Sequence, residues 1–414
     1  MSFLYQFFIQ LYVFGFRVFA LFNSKARKGL DGRKNWEDNL KKAIDPASDW
    51  ICMHCSSLGE FEQGRPVFEA LKKQFPNHKL ALSFFSPSGY EIRKNYDLAD
   101  VVFYLPFDTP NNAKKLAQIL QPKYWILVKY DYWYNHLREQ HKMGTKTIVV
   151  SSIFRENQVY FKPHGAWMSE NLKKYITHFF VQDETSEKLL RSIGINQVSV
   201  AGDTRYDRVK SIAAETNKLD WVEQFKSDKK LIVIGSSWGD DEQLWVEYLN
   251  KYQQEDWKVI FVPHEIKTPN ILKLKTDLNA TSVLYSEITP NIDLANQDVI
   301  IVDAIGFLSK IYASADLAYV GGGFNKSGVH NTLEPAVFKI PVVIGPNYQK
   351  FNEVKVMKSQ AIVYPIKNYA EFEKVLLDLT QHQEKRLEIA KAAQDLFENQ
   401  QSATEAILAY LAKE

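Results

Sequence analysis

From residue 50 onward, short apolar β-branched runs alternate with amphipathic stretches of helical period, the pattern left by buried parallel strands and the helices that cover them. In the first half the runs predict strands near 50–54, 79–84, 101–104, 124–129, 147–152, 177–182 and 198–201. A polar, lysine-rich stretch from Arg208 to Lys230 interrupts the pattern, which then restarts with strands near 231–235, 258–262, 299–302, 317–320, 341–344 and 361–364. From about Tyr369 the chain reads as helical. Alternation of this kind predicts an α/β fold, and its restart predicts two Rossmann-like domains facing a cleft. The expected bounds are 23–207 for the first domain, 208–228 for a linker and 229–414 for the second. The length of 414 residues agrees, being more than one core serves and enough for two domains of about 180–200 residues.

The segment 1–22 breaks the pattern. It is almost wholly apolar or aromatic, interrupted only by Gln6, Gln10 and Arg17, and is just long enough to cross a hydrocarbon layer of roughly 30 Å. No basic residue precedes the run and no small-x-small site follows it, so a cleaved signal peptide fits poorly. Lys25, Arg27, Lys28, Arg33, Lys34, Lys41 and Lys42 come afterwards, which puts the remaining chain on the cytoplasmic side. A spanning helix and a helix lying in the membrane interface both fit, because Arg17 is costly at mid-bilayer, and a helix buried in the core is the alternative to both.

Composition narrows the function classes. Lysine plus arginine, 51, nearly balances aspartate plus glutamate, 49, so bulk charge gives no reason to expect a nucleic-acid partner. Cys52 and Cys55 are the two cysteines, and a Cys-x-x-Cys without a second pair is read as two reduced thiols. The acidic run Asp240-Asp241-Glu242 follows Trp238-Gly239 at an expected helix start, where acids are favoured without any metal.

In α/β sheets ligands sit outside the carboxyl ends of the strands, so the loops there carry the chemistry. After the first strand comes His54-Cys-Ser-Ser-Leu-Gly-Glu60. Ser56, Ser57 and Gly59 supply hydroxyls and free N–H groups at a helix start suited to an anion, and Glu60 is either a general base or a first-turn acid of the helix. In the second half, Gly321, Gly322 and Gly323 end a strand and allow close approach of a ligand to the backbone. Asn331 and Glu334 follow, either as a helix cap or with Glu334 on the hydroxyls of a ribose.

Ser56-Ser57-x-Gly59-Glu60, taken with Gly321-Gly322 and His330-Asn331-x-Leu333-Glu334-Pro335, resembles the Kdo transferases, the 3-deoxy-D-manno-octulosonic acid transferases of lipopolysaccharide synthesis. The resemblance runs nearly end to end. It implies a GT-B fold and inverting, metal-independent transfer of Kdo from CMP-Kdo to a lipid A precursor, with no cofactor, at the cytoplasmic face of the bacterial inner membrane. It implies Glu60 as catalytic base, Glu334 as ribose ligand, and Ser236 and Ser237 as the family's Ala-Ser-Thr loop near a phosphate. Gly202, Asp203 and Asp207 match a further element, as do Asp303 and Gly306 in part. The anionic membrane surface is an expected partner of Lys25, Arg27, Lys28, Arg33 and Lys34.

The chain departs from the family at two loops. Lys129-Tyr-Asp131-Tyr-Trp133-Tyr-Asn135 stands where the family has Glu-Thr-Glu-x-Trp-Pro-Asn, which keeps Asp131 as a sugar-site candidate but reverses the first charge. Val262-Pro263-His264-Glu265 replaces Pro-Arg-His-Pro, so the donor-site arginine is missing and His264, beside Pro263, either stands in for it in the nucleotide site or is a polar loop residue. The competing readings are a nucleotide-sugar epimerase or UDP-sugar transferase of the same fold, and a bilobal anion-binding protein.

Overall fold

The computed structural model describes residues 2–252 and 255–413; Met1 of the predicted 1–22 segment, and Gln253, Gln254 and Glu414 of the predicted second domain, lie outside the described residues. The chain forms two compact units, Met1–Arg208 with Gln401–Glu414 and Val209–Gln400.

In the first unit, β1 (Trp50–Cys55), β2 (Lys79–Phe84), β3 (Val101–Tyr104), β4 (Tyr124–Val128), β5 (Lys146–Ser152), β6 (His178–Val181) and β7 (Val198–Val200) form one parallel sheet in the order β3-β2-β1-β4-β5-β6-β7. β4 is buried along its whole length and β1 likewise, as strands covered by helices on both faces must be. Alternate residues of β1 serve opposite layers: Cys52 packs with Trp125 and Leu127, while Cys55 packs with Met53 and Phe61. An odd spacing on a strand thus turns the two thiols away from each other, and burial pushes both up, Cys52 to about 12.

The second unit holds β8 (Lys230–Ser237), β9 (Trp257–Pro263), β10 (Ser282–Leu284), β11 (Val299–Ile301), β12 (Leu317–Val320), β13 (Val342–Ile344) and β14 (Val363–Pro365), parallel throughout, in the order β10-β11-β9-β8-β12-β13-β14. Thirteen of the fourteen strands lie where the apolar runs put them. The exception is β10, an edge strand of three residues. In the first sheet the strand order reverses between β1 and β4; in the second it turns between β8 and β12, with β11 inserted between β10 and β9, and such turns leave a crevice at the carboxyl ends of the strands that flank them.

Two departures from the pattern concern the ends of the chain. The last helix, Ala403–Lys413, belongs to the first unit and not to a second domain running to residue 414. Ile407 and Leu411 join the layer of Phe61 and Val67, Tyr124 Oη donates to the Leu411 carbonyl at 3.1 Å, and Asp207 accepts the Thr404 N–H at 2.7 Å. The helix Ser2–Phe22 is long and apolar enough to cross a membrane by length and composition, yet one stripe of it is docked on the first unit. Ile9 and Val13 pack on Phe107, Tyr5 Oη donates to Asp108 at 2.7 Å, and Gln6 exchanges hydrogen bonds with Asn135 at 2.7 and 3.1 Å. The other face presents Phe7, Phe8, Phe14 and Phe19 to the outside.

Arg33 is a correction within the expected headgroup-binding basic cluster, from which it drops out. It is buried, donating from Nε to the Leu105 carbonyl at 2.8 Å, from Nη1 to Gly29 at 2.7 Å and from Nη2 to Phe85 at 2.7 Å, beneath the rings of Phe85, Tyr104 and Phe107. Burial lowers its guanidinium to about 10. Arg27 is committed as well, capping the Ala20 and Leu21 carbonyls at 3.1 and 2.6 Å. Arg33→Met would leave three carbonyls without donors, so we expect the first unit to lose about 2–4 kcal/mol in urea unfolding, with Arg33→Lys failing to restore it because one ammonium cannot serve three directions.

Candidate functional site

Each crevice at a point of strand reversal is walled by motif loops. In the first unit these are Ser56–Glu60 after β1 and Lys129–Asn135 after β4. The helix Leu58–Gln74 begins after Ser57, so Glu60 stands in its first turn, partly exposed. Ser57 makes no side-chain cap to the helix backbone; its hydroxyl donates to the Glu60 carboxylate instead. A first-turn acid is favoured by the helix dipole anyway, but here its side chain is held by Ser57 and is not spent on the helix end. Gly59 is exposed, and a Cβ added there would meet nothing nearer than Ser57 Oγ at 3.8 Å, so the fold itself does not require glycine at this position.

Asp131 anchors the opposite wall. His54, fully buried in β1, joins its Nε2 to Asp131 Oδ2 at 2.7 Å and its Nδ1 to the buried Ser83 hydroxyl at 2.9 Å. Burial works against the Asp131 charge, but the hydrogen bond and charge of His54 outweigh it and hold its carboxyl below the usual range. Tyr130 hydrogen-bonds Arg155 and lies within electrostatic reach of Glu60 and Arg205. Arg205 in turn forks onto Asp203 at 2.9 and 2.6 Å, and Gln63 donates to the same carboxylate at 2.8 Å. Lys129, after β4, and Ser151, in β5, have φ of 69° and 54°, left-handed backbone that non-glycine residues hold only when their surroundings impose it. Beside Asp131 a recess of about 350 Å³ is lined by Tyr5, Phe8 and Tyr12 of the amino-terminal helix and by Tyr130 to Trp133.

In the second unit the corresponding walls are Ser236–Ser237 after β8 and Gly321–Gly323 after β12, with Pro263 and His264 beside them at the end of β9. A register shift between Gly235 and Ser237 leaves Ser236 left-handed at φ 52°. Ser237 Oγ donates to Glu242 at 2.9 Å. Asp241 ties the walls together: its Oδ2 accepts the backbone N–H of Trp238 and of Gly322, each at 3.0 Å, and its Oδ1 accepts from Tyr319 Oη at 2.6 Å. Gly322 has φ +85°, and Gly323 lies so close to Gly345 that a Cβ on it would come within 2.6 Å of that backbone.

Glu334 sits partly exposed in a helix of one turn, Leu333–Ala336. Asn331 Nδ2 donates to its Oε1 at 3.0 Å, Ser309 Oγ reaches Oε2 at 3.4 Å, and Asn331 Oδ1 accepts the Leu333 N–H at 3.2 Å. The expected full helix start is therefore a single turn, and Asn331 acts both as local cap and as clamp on the glutamate. Asp303, by contrast, is occupied at its own strand end, accepting the Ser286 N–H at 2.9 Å.

His54, Arg155, Arg205, Trp238 and His330 were not singled out from the sequence as site residues. Three of them share a positional signal, His54 in β1, Trp238 just beyond β8 and His330 in the loop after β12, whereas Arg155 follows β5 and Arg205 opens the helix after the edge strand β7.

Residues 27–208 match the family model of the 3-deoxy-D-manno-octulosonic-acid transferases (kdotransferases). A 3-deoxy-D-manno-octulosonic acid transferase of Chlamydophila psittaci is 26% identical over 307 residues, 73% of this chain and 70% of that one. One of Aquifex aeolicus is 23% identical over 344 residues, covering 82% and 88%. The chain is a divergent relative of the Kdo transferases. Kinship of this extent supports a glycosyltransferase. Its fold is of the GT-B class: a UDP-GlcNAc 2-epimerase from Neisseria meningitidis, solved with UDP-GlcNAc bound, superposes with a TM-score of 0.60 at 15% identity over 88% of this chain and all of that one. The loops on which the resemblance rests in the sequence stand at the carboxyl ends of β1 and β4 in the first unit and of β8 and β12 in the second.

Proposed function

We propose that the chain transfers Kdo from CMP-Kdo to a lipid A precursor, inverting the anomeric carbon, at the cytoplasmic face of the inner membrane. The observation that carries this reading is the coincidence of kinship and topology: residues 27–208 match the Kdo transferase family, and the loops in which the sequence resembles it stand where the strand order turns in two parallel sheets, the places where such folds bind ligands.

Glu60, steadied by Ser57, takes the proton from the attacking hydroxyl of the acceptor. Arg155 and Arg205 supply the positive charge that an acidic sugar calls for in the same unit, with Asp131 on a sugar hydroxyl. The nucleotide lies on the second unit, its ribose on Glu334 and its phosphate against Ser236, Ser237 and the Gly321–Gly323 turn, whose N–H donors receive the charge of the leaving phosphate. Incubating the protein with CMP-Kdo and a tetra-acylated lipid A precursor and weighing the lipid by mass spectrometry tests the whole reading. A lipid heavier by one or more Kdo residues is the expected product.

The epimerase-like superposition motivates a second reading, a UDP-sugar enzyme. A screen of radiolabelled CMP and UDP sugars separates them, since only a CMP sugar should be consumed in the first.

The amino-terminal helix supports the lipid half of the proposal. Its docked polar stripe holds it against the first unit, and its exposed aromatic stripe enters the membrane interface. Phe7 and Phe14 are 59% and 64% exposed, so the double change Phe7→Asp and Phe14→Asp costs the fold little while removing apolar area from the membrane contact. Each lost phenylalanine is worth roughly tenfold or more in partitioning. Sedimentation with anionic vesicles should therefore show the variant moving to the supernatant.

A further inference from the structure

Three rings meet at the carboxyl ends of the second sheet. Trp238 and His330 lie within 7° of parallel with centroids 6.3 Å apart, and the indole Nε1–H donates to His330 Nε2 at 3.0 Å. Rings so oriented and bonded edge to edge form a single plate. His264 covers one face of it, 4.6 Å from the indole and 4.3 Å from the imidazole. The plate hangs on the loops already described: the Trp238 N–H is fixed by Asp241 at 3.0 Å, the His264 N–H by the Ser237 carbonyl at 2.9 Å and the His330 N–H by the Gly321 carbonyl at 3.1 Å.

The direction of the side-chain bond decides the chemistry. An indole nitrogen can only donate, so His330 Nε2 must offer its lone pair and the ring proton must sit on Nδ1. No partner for that Nδ1–H occurs among the described residues. The ring is half-buried beside a second imidazole, and both burial and His264 lower it, to about 4, so it stays neutral. His264 belongs to the Val262-Pro263-His264-Glu265 loop, in which the family's arginine is missing.

We infer that Trp238 is a positioning residue for the donor: it locks His330 in the Nδ1–H tautomer, and that N–H hydrogen-bonds an anionic oxygen of the CMP-sugar, the contact that stands in for the absent arginine. This rests on the CMP-sugar reading above. The oxygen belongs to the phosphate or to the sugar carboxylate, two sources of the same chemistry. The substitution Trp238→Phe tests it, keeping a ring in the plate but removing the N–H.

Titration calorimetry of the full chain with CMP, free Kdo and cytidine, together with ¹⁵N NMR of the His330 ring, reads both halves. In the wild type, ¹⁵N shifts should report a proton on Nδ1. In W238F the tautomers should mix and binding of an anion should weaken roughly tenfold, the scale of one charge-assisted hydrogen bond, with cytidine unaffected. Weakening of CMP identifies the phosphate as the source; weakening of Kdo alone identifies the carboxylate. Equal weakening of cytidine would reduce Trp238 to a stacking surface, and unchanged anion binding, or an Nε2–H ring in the wild type, would overturn the inference. A wild type with the expected tautomer that binds neither CMP nor Kdo would instead remove the donor reading on which the inference stands. As a kinetic check, W238F should raise the KM for CMP-Kdo with kcat little changed, and His264→Arg in that background should restore much of the loss.

Discussion

Glu60→Gln should lower kcat for transfer by about 10²–10⁴-fold, the contribution of a positioned general base, while CMP binding and thermal stability stay at wild-type values. The separation is expected because the side chain is not spent on the helix it begins. Ser57 makes no side-chain cap to the backbone of Leu58–Gln74, and its hydroxyl bonds the carboxylate alone. Glutamine keeps that bond and the shape, so only the capacity to accept a proton is lost. kcat and kcat/KM should fall together, the signature of an interaction made only in the transition state. Ser57→Ala should show a smaller loss, because the base remains but is no longer held. An E60Q enzyme with wild-type turnover would remove Glu60 from the chemistry. A melting temperature lowered in parallel with activity would return it to the role of helix stabiliser.

The strands were legible because parallel strands covered on both faces must be apolar at every position, so Tyr124–Val128 or Val342–Ile344 appears as an unbroken run. Ser282–Leu284 has only two buried apolar residues, Val283 and Leu284, behind the polar Thr281 and Ser282, and was missed. The closing helix shows the limit of periodicity: Ile407 and Leu411 announce a buried face but not its partner, which proved to be the first unit. Arg33 shows the limit of charge counting, since a guanidinium in a basic cluster looks solvated until three carbonyls and three rings close around it. At the candidate site the loops were legible from their motifs. The side chains that hold them, His54 to Asp131 and Trp238 to His330, were not, because those pairs are 77 and 92 residues apart and meet only through the order of the strands.

Gly321→Ala and Gly59→Ala are the same chemical change in two motif loops, and opposite outcomes are expected. A Cβ on Gly321 would stand 2.3 Å from the Ser236 carbonyl oxygen, 2.7 Å from Asp241 Oδ2 and 2.8 Å from Ser237 Cα. Two of these are backbone atoms of a loop already forced left-handed at Ser236, so they have little room to yield. The third is the carboxylate that fixes Trp238 and Gly322. Overpacking of this kind costs about 1–3 kcal/mol, and pushing the two walls apart should also weaken CMP binding at least tenfold. On Gly59 the nearest atom would be Ser57 Oγ at 3.8 Å, an ordinary contact. G59A should therefore melt with the wild type, since alanine is the better residue in a helix. If G59A nonetheless loses transfer, the open space over Gly59 is needed by substrate and not by the fold. Thermal unfolding and CMP titration on both variants distinguish the cases: a G321A protein as stable and as avid for CMP as the wild type would mean that the walls of the second crevice do not need to meet as closely as the structure has them.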